Sequence, residues 1–435
     1  MSSNQVEPKM FDRVLILSAS SGAGHVRAAQ ALEKAFHLTG AAREVRHVDS
    51  LQFTSYVFRN LYSKQYLNMV NKAPDLLGWL YDVSDKPWKN ERQRLAFDRL
   101  NTRPLVKLIN DYKPELVIST HFMPSEIISW LLCRKKIDTR HAVAVTDFDA
   151  HAAWLCRHYD QYFAALDETK EHLQHLGVLP DKITVAGIPI DPVFAQAKTK
   201  LEMRQKYGLD PVRPTILISA GGFGVGPMES VINSLRSMQN EIQVIAICGT
   251  NKALKARIEE LSLETGNKLL LHAIGFTNNM DEYMAASDMV LGKPGGLTTS
   301  EALSKGLVFI IVNPIPGQEE RNSDHLLEEG VAIRCNNLPA LAYKVDKLLD
   351  NKAKFAAMHE AALRLARPRA AEAIVYRLLA LKATGYKQEE PVLPDHKCPT
   401  PRISKLWKRG GALVLDGRLR FARRLFRGKN WTRTS

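Results

Sequence analysis

One segment of this 435-residue sequence combines the residue types that bind a phosphate group, LGKPGGLTTSEALSKG at 291–306. A short apolar run ends at Leu291, and Gly295 and Gly296 then allow the backbone to approach another group closely. Three hydroxyl residues and Glu301 follow and open a helix. A strand, a glycine loop and a free helix N-terminus together present N–H groups and a positive dipole to an anion. On this segment alone, an ordinary strand-to-helix turn is the alternative.

A candidate catalytic base lies in SASSGAGHVRAAQALEKAF, directly after the first apolar run of the chain. Gly22 and Gly24 predict a tight turn, and His25 lies where the following helix begins. With an imidazole pKa near the ordinary value of about 6.5, His25 could take a proton from a hydroxyl group at neutral pH. A histidine that caps the helix or packs in the core is the alternative.

Two further glycine-containing turns follow apolar runs. In NPIPGQEERN, Gln318 and Glu319 emerge from a Pro-Gly turn. Adjacent amide and carboxylate groups can bind several hydroxyls of a sugar ring, although a solvated turn has the same composition. The stretch GGFGVG at 221–226 is not a dinucleotide fingerprint, because Pro227 occupies the position of the third glycine.

A pair of carboxylates follows the apolar run HAVAV. Asp147 and Asp149 in TDFDAHAAW form a D-x-D, which could ligate Mg²⁺ or Mn²⁺ under a diphosphate. A metal held by a D-x-D is typical of single-domain folds that bind a sugar nucleotide. This chain instead has two sheets and a helix N-terminus that can bind the diphosphate. We therefore expect no metal and no cofactor.

Short apolar runs rich in Val and Ile alternate with helical segments through both halves of the chain. Runs that are apolar on both faces, each followed by a helix, are typical of parallel sheets covered on both sides. The alternation restarts near 212 after a polar stretch, so the sequence predicts two doubly wound α/β domains, 1–197 and 212–385. Ligands of such sheets lie at the carboxyl ends of the strands. We therefore expect the motifs to face a cleft between the domains.

The positive charge is concentrated at the end of the sequence. The formal net charge is +14, and residues 401–435 contribute ten of these charges, with eleven Lys or Arg against one Asp. Residues 386–435 are predicted to be a proline-rich linker and a basic tail, in which 415–429 form an amphipathic helix. Nucleic acid is an alternative partner for this charge. Because the tail has an apolar stripe, we expect it to bind anionic membrane lipids and no nucleic acid.

No apolar run approaches the roughly 20 residues that span a bilayer. The N-terminus lacks the features of a signal peptide, and the five scattered cysteines favour a reducing compartment. We therefore expect a cytoplasmic protein that is peripheral on the cytoplasmic face of a membrane. The aromatic segment 51–82 is either a core helix or the entrance for an apolar acceptor.

Several motifs together resemble a known family. KPGGLTTSEALSKG followed by NPIPGQEERN resembles the donor-site signature of glycosyltransferase family 28. SGAGHVRAA, TDFDAHAAW and AGIPIDPVF are similar to the processive diacylglycerol glucosyltransferases and monogalactosyldiacylglycerol synthases. The resemblance covers roughly 12–385. It implies a GT-B fold and an inverting, metal-independent transfer from a UDP-sugar.

The resemblance also implies roles for individual residues. His25 would be the general base, Glu301 would hold the ribose diol, and Phe276 would pack against the uracil. His151 and Trp154 match a D-x-x-x-H-x-x-W spacing that lines the inner wall of the cleft. The residues expected to bind the donor are Gly222, Phe276, Lys293, Gly295, Gly296, Leu297, Thr298, Thr299, Glu301, Gln318, Glu319 and Asn322, and those expected on the acceptor side are Gly24, Asp147, His151 and Trp154.

The combined interpretation is a peripheral membrane enzyme that moves a hexose from UDP-glucose or UDP-galactose to diacylglycerol. Three alternatives stay open: the same chemistry on another lipid or a prenyl-linked acceptor, an epimerase acting on UDP-sugars, and a sensor that binds a UDP-sugar without catalysis. The sequence does not distinguish glucose from galactose, since they differ only in the orientation of one hydroxyl.

Overall fold

The computed structural model describes residues 10–55, 74–88, 103–219 and 228–384. Within these ranges the chain forms two six-stranded sheets whose neighbouring strands run parallel. Helices separate the strands, so the prediction of two doubly wound α/β sheets is confirmed. Gly222, most of the aromatic segment 51–82 and the predicted tail 386–435 lie outside the described residues.

The first sheet has the strand order β2-β1-β3-β4-β5-β6. Its strands are β1 Phe11–Ser18, β2 Ala42–Asp49, β3 Leu116–Ser119, β4 Arg140–Ala144, β5 Gln161–Ala164 and β6 Ile183–Val185. The helices between them are α1 Ala23–Thr39, α2 Pro74–Ser84, α3 Arg103–Tyr112, α4 Phe122–Cys133 and α5 Asp167–His175.

The second sheet has the order β12-β11-β10-β7-β8-β9. Its strands are β7 Thr215–Ser219, β8 Ile242–Ile247, β9 Leu269–Ile274, β10 Met289–Gly292, β11 Val308–Val312 and β12 Ala332–Cys335. The remaining helices are α6 Lys200–Lys206, α7 Met228–Leu235, α8 Lys252–Glu264, α9 Met280–Ala286, α10 Gly296–Ser304, α11 Gln318–Glu328, α12 Leu341–Asp350, α13 Lys352–Leu365 and α14 Ala370–Thr384. Short 3₁₀ helices lie at Ser50–Phe53, Ala152–Trp154, Pro180–Lys182, Pro192–Ala195 and Leu338–Ala340.

The order of the strands places the predicted motifs at the carboxyl edges of the sheets. In the first sheet the order reverses between β1 and β3, and His25 follows β1. In the second sheet the order reverses between β10 and β7, and the KPGG loop follows β10. Ligands of doubly wound sheets bind where the strand order reverses, because the loops diverge there and leave a crevice. Both crevices open toward the other domain.

The last helix of the described residues, α14, does not pack on the sheet that precedes it. The apolar side of α14, with Ile374, Val375 and Leu378, lies in one core cluster with Phe11 and Phe36 of the first domain. Residues 370–384 were included in the predicted second domain, 212–385, but they complete the core of the first. The apolar pattern of α14 predicts a buried helix without specifying which sheet covers it.

Candidate functional site

His25 lies in the first turn of α1, and its ring is held by the backbone of a neighbouring strand end. Its Nδ1 lies 3.0 Å from the carbonyl oxygen of Thr120 and 2.9 Å from Oγ1 of Thr146. Because a carbonyl oxygen only accepts hydrogen bonds, we assign the proton to Nδ1. This tautomer leaves the lone pair on Nε2, which is the arrangement that a general base requires.

The environment of His25 changes its expected basicity. The rings of His25 and His121 meet edge to face with centroids 4.6 Å apart, and the centroid of Trp154 lies 6.4 Å away. Burial lowers the pKa of His25 to about 4, although the hydrogen bond to Thr120 acts in the opposite direction. The expectation of an ordinary pKa near 6.5 is therefore wrong. The imidazole stays neutral, and so competent to accept a proton, throughout the neutral pH range.

The predicted anion-binding loop joins β10 to α10, and the helix begins at Gly296, two residues earlier than the hydroxyl residues suggested. Gly295 is the N-cap, and its carbonyl accepts the first helical bond, from the N–H of Thr299 at 2.9 Å. The N–H groups of Gly296, Leu297 and Thr298 precede that bond and are free to donate to a ligand. Lys293, at the start of the loop, is exposed. The geometry is that of an anion site.

The two predicted motifs meet across the cleft. A Cβ placed on Gly296 would lie 2.5 Å from the carbonyl oxygen of Thr146 and 3.0 Å from Cδ1 of Ile188 in the first domain. A Cβ placed on Gly24 would lie 3.9 Å from the Cβ of Leu297. Gly296 therefore permits a contact between backbones that no other residue would allow. This contact places the N-terminus of α10 beside the turn that carries His25.

Glu301 is buried one turn into α10, and an arginine of the first domain reaches it. Oε1 of Glu301 accepts a hydrogen bond from Nη2 of Arg27, whereas Oε2 is buried without a partner. Burial raises the pKa of Glu301 to about 7, and the positive charge of Arg27 opposes that rise. A buried carboxylate with an unused oxygen can accept hydrogen bonds from a ligand.

A cavity of about 340 Å³ lies between the domains at Glu301. Its wall includes Arg27 and Leu297, and also Asn278 and Met280, which follow Phe276 closely in the sequence. Phe276 itself is 65% exposed, so its ring could cover a planar ligand at this position. The segment that follows the residue expected at the uracil therefore lines the same cavity as the residue expected at the ribose.

The predicted sugar-binding residues lie at the start of α11, and each already has a partner. Nε2 of Gln318 donates a hydrogen bond to Oδ1 of Asp147 across the cleft. Oε2 of Glu319 accepts a hydrogen bond from the N–H of Ile315 at 2.7 Å, and burial raises the pKa of this carboxyl. Nδ2 of Asn322 donates to the carbonyl oxygen of Pro294 at 2.9 Å. Asn322 is fully buried and therefore fixes the KPGG loop through this bond.

The residues expected on the acceptor side form hydrogen bonds within the first domain, beneath the surface of the cleft. Trp154 is fully buried and its Nε1 donates to Oδ2 of Asp147 at 2.7 Å. Nδ1 of His151 accepts from the N–H of Ala153 at 2.9 Å, and Nε2 donates to the carbonyl oxygen of Tyr81 at 3.1 Å. Trp154 does not line the cleft as the sequence suggested, because its ring packs in the core behind His25. His151 connects its own loop to α2.

The D-x-D carboxylates are engaged by protein groups. Asp147 accepts from Trp154 and Gln318, and burial raises its pKa to about 7. Oδ2 of Asp149 lies 2.7 Å from Nη1 of Arg321, and its Oδ1 lies 3.0 Å from Nδ1 of His172. Among the described residues, no group of three or more His, Cys, Asp or Glu side chains is arranged to hold a metal ion.

Four residues of the site have no role in the sequence interpretation. They are Thr120 and Thr146, which hold His25, Arg27, which holds Glu301, and Arg321, which bonds to Asp85 of the first domain at 2.9 Å as well as to Asp149. Thr120 and Thr146 each follow an apolar run, so their position at a strand end was detectable. Nothing in the sequence pairs Arg27 with a residue that lies 274 positions away.

The chain is similar to glycosyltransferases over most of its length. Residues 25–190 match the family described as monogalactosyldiacylglycerol (MGDG) synthase, and residues 200–364 match glycosyl transferases group 1. Processive diacylglycerol β-glucosyltransferases of Bacillus cereus and Bacillus cytotoxicus are each 30% identical to it. The first comparison covers 88% of this chain and 95% of the relative, and the second covers 83% and 92%.

Solved structures share the fold at lower identity. Acinetobacter baumannii MurG is 16% identical with a TM-score of 0.56, and the match covers 85% of this chain and 99% of that one. Anabaena HepE in complex with UDP is 14% identical with a TM-score of 0.51, over 86% and 99% of the two chains.

The paired parallel sheets and the cleft between them define a GT-B fold, and the sequence matches place the chain among the glycosyltransferases. Within this class, the chain belongs to the diacylglycerol glycosyltransferase family that contains the processive diacylglycerol β-glucosyltransferases and the MGDG synthases. No described helix combines the length and the apolar character needed to cross a membrane.

Proposed function

We propose that this protein is an inverting glycosyltransferase that moves a hexose from a UDP-sugar to diacylglycerol. One observation carries the proposal: the turn that bears His25 meets the N-terminus of α10, with a Cβ placed on Gly24 lying 3.9 Å from that of Leu297. A base and an anion site on opposite walls of one cleft are the two groups that an in-line displacement of a diphosphate requires.

The proposed reaction uses these groups in one step. The acceptor oxygen attacks the anomeric carbon from the face opposite the diphosphate and gives its proton to Nε2 of His25. The bond from the anomeric carbon to the diphosphate breaks, and the electron pair leaves with UDP. The free N–H groups at the start of α10 donate to the departing diphosphate, where the helix dipole also favours negative charge. Glu301 accepts hydrogen bonds from the ribose hydroxyls.

The identities of the donor and the acceptor rest on the relatives. Curated relatives that match most of this chain are named diacylglycerol β-glucosyltransferases, whereas the MGDG synthase match is confined to residues 25–190. The hexose would contact Gln318 and Glu319, which lie outside that range, so we propose glucose ahead of galactose. HepE, which has this fold, was solved in complex with UDP-glucose.

The test combines a screen of UDP-sugar donors with a variant that lacks the proposed general base. The protein is incubated with diacylglycerol vesicles and isotopically labelled UDP-glucose or UDP-galactose, and the lipid product is measured by mass spectrometry. His25→Ala should lower turnover by roughly 10²–10⁴-fold, the contribution of a general base, while UDP binding persists. His141→Gln is the matched control, because burial lowers the pKa of both histidines to about 4, but Nδ1 of His141 donates to the carbonyl oxygen of His158 in the first domain.

The outcomes separate the alternatives. A sugar transferred to a lipid other than diacylglycerol would replace the proposed acceptor but leave the proposed donor and mechanism unchanged. UDP binding without any lipid product would indicate a sensor, and an altered UDP-sugar without lipid would indicate an epimerase. Near-normal turnover of His25→Ala would remove His25 from the mechanism.

We also propose that no metal assists the reaction. Asp147 and Asp149 are the carboxylates that could have held one, and both are bonded to protein groups. Activity should therefore persist in excess EDTA. Loss of activity in EDTA that added Mg²⁺ restores would contradict the proposal.

Residues 401–435 are proposed to attach the enzyme to the cytoplasmic face of an anionic membrane. Ten net positive charges at about 1 kcal/mol for each basic residue near such a surface would give strong binding. Deletion of 401–435 should abolish co-flotation with phosphatidylglycerol vesicles but not binding of UDP. Unchanged flotation would move the attachment to another part of the chain, and selective binding to RNA or DNA would favour the nucleic-acid alternative.

A further inference from the structure

We propose that Arg27 is a nucleotide-site residue supplied by the first domain, which keeps the buried Glu301 carboxylate charged and oriented for the ribose diol. The inference rests on the proposed function, since it assumes that a nucleotide occupies this cavity. It adds that the nucleotide site of the second domain is complete only when the first domain is in contact with it.

The first support is the geometry of the pair. The Arg27 side chain is 41% exposed whereas that of Glu301 is 2% exposed, so a partly solvated guanidinium reaches an almost fully buried carboxylate. Arg27 bonds to Oε1 only, and Oε2 has no partner. The carboxylate is therefore held in one orientation with an unused oxygen. Both residues line the same cavity of about 340 Å³.

The second support is the charge around Glu301. The carboxyl faces Asp191 and Asp281 as well as Arg27, and the two aspartates raise its pKa together with burial. Glu33 and Lys34 also line the cavity, and Lys34 is paired with Asp191. Arg27 is thus the positive group that counteracts several influences favouring a protonated Glu301. A protonated carboxyl would turn one acceptor oxygen into a donor and lose the charge that strengthens hydrogen bonds to hydroxyls.

The position of Arg27 also connects this effect to the catalytic turn. Arg27 and His25 lie on the same first turns of α1. A movement of α1 away from the second domain would withdraw both the proposed base and the partner of Glu301. Arg27 is a positioning residue in this account, because it acts through Glu301.

The experiment compares two nucleotides in one set of variants. Affinities for UDP and for 2′,3′-dideoxy-UDP are measured by calorimetry between pH 6 and 9 for wild type, Arg27→Gln and Arg27→Lys. The ratio of the two affinities reports the contribution of the ribose diol alone. The diphosphate and its protonation equilibrium are common to both ligands and cancel in the ratio. Arg236→Gln is the control, since Arg236 pairs with Glu264 on the surface of the second domain (Nη1–Oε2 3.4 Å).

Arg27→Gln should weaken UDP about tenfold at pH 8, where Glu301 of the wild type is ionised, the difference expected between hydrogen bonds to a charged and to a neutral acceptor. The dideoxy nucleotide should be nearly unaffected. Raising the pH should restore UDP binding in this variant, because Glu301 then ionises without help. Arg27→Lys keeps the charge and should recover part of the affinity, and Arg236→Gln should match wild type.

Three results would overturn the inference. The first is an unchanged ratio and pH profile in Arg27→Gln. The second is an equal loss for both nucleotides, which would place Arg27 at the diphosphate or in the fold. The third is tighter UDP binding, which would make Arg27 a competitor of the ribose. Failure of the wild-type protein to bind UDP would instead contradict the proposed function itself.

Discussion

Replacing Gly296 with alanine tests whether the contact between the domains is required for catalysis. The new Cβ would lie 2.5 Å from the carbonyl oxygen of Thr146, a backbone atom that no rotamer change can move away. Overpacking of this kind costs about 1–3 kcal/mol. Alanine is also a better helix former than glycine by up to about 1 kcal/mol, so α10 itself should form normally. The overpacking therefore destabilises the closed arrangement, in which Gly296 of the second domain contacts Thr146 of the first.

If turnover requires the closed arrangement, a cost of about 1–3 kcal/mol lowers kcat/KM by roughly five- to 150-fold. Glycosyl transfer to diacylglycerol vesicles measures this effect, and small-angle scattering should detect a larger radius of gyration. Gly330→Ala is the control, because a Cβ at Gly330 meets nothing within 4 Å, although its φ of +67° adds local strain. Gly296→Ala with wild-type kcat/KM and an unchanged radius would refute the reasoning.

Three other predictions concern stability, pH and nucleotide binding. Gly317 has φ +94° and a Cβ there would lie 2.8 Å from Cγ of Tyr81, so Gly317→Ala should lower the free energy of unfolding by about 1–3 kcal/mol in thermal melts. Burial lowers the pKa of His25 and of His141 to about 4, so the unfolded state binds more protons below pH 6.5. The free energy of unfolding should then fall as the pH falls from 6.5 toward 4, by roughly 3 kcal/mol for each histidine. In denaturant titrations at pH 7 and 4.5, His141→Gln should lose less of this free energy than the wild type. An equal loss in both proteins would contradict the prediction. Glu301→Ala should weaken UDP about 100-fold in calorimetry, since two hydrogen bonds to a charged group are lost, and an unchanged affinity would exclude the ribose role.

Most of the central strands could be predicted, because a strand buried on both faces is a continuous apolar run. Leu15, Ile16 and Leu17 of β1 illustrate this, since all three are fully buried. The strands that do not coincide with a run rich in Val and Ile are β2, β5 and β12. β2 and β12 are edge strands that contain charged residues, and β5 has only four residues. Short or half-solvated strands lack a continuous apolar signal.

The candidate site could be predicted at the level of motifs. Glycine turns after apolar runs indicated which residues lie at the carboxyl edges of the sheets, and His25 and the 295–299 loop do lie together. What the sequence could not indicate was burial, which lowers the pKa of His25 and raises that of Glu301. It also could not indicate contacts between domains, such as those of Arg27 and Arg321, because these depend on how the two sheets face each other.

The return of α14 to the first domain bears on how the enzyme would move. The connection passes closely over Gly187, where a Cβ would lie 2.6 Å from that of Arg367. Because α14 is built into the core that contains Phe11 and Phe36, Thr384 lies at the first domain, and residues 385–435 are connected to the chain there. An anchor in those residues would hold the acceptor half at the lipid surface. The second domain, which carries the proposed nucleotide site, would then be the domain that moves. It would bind the sugar donor from solution and bring it to a first domain that stays at the membrane.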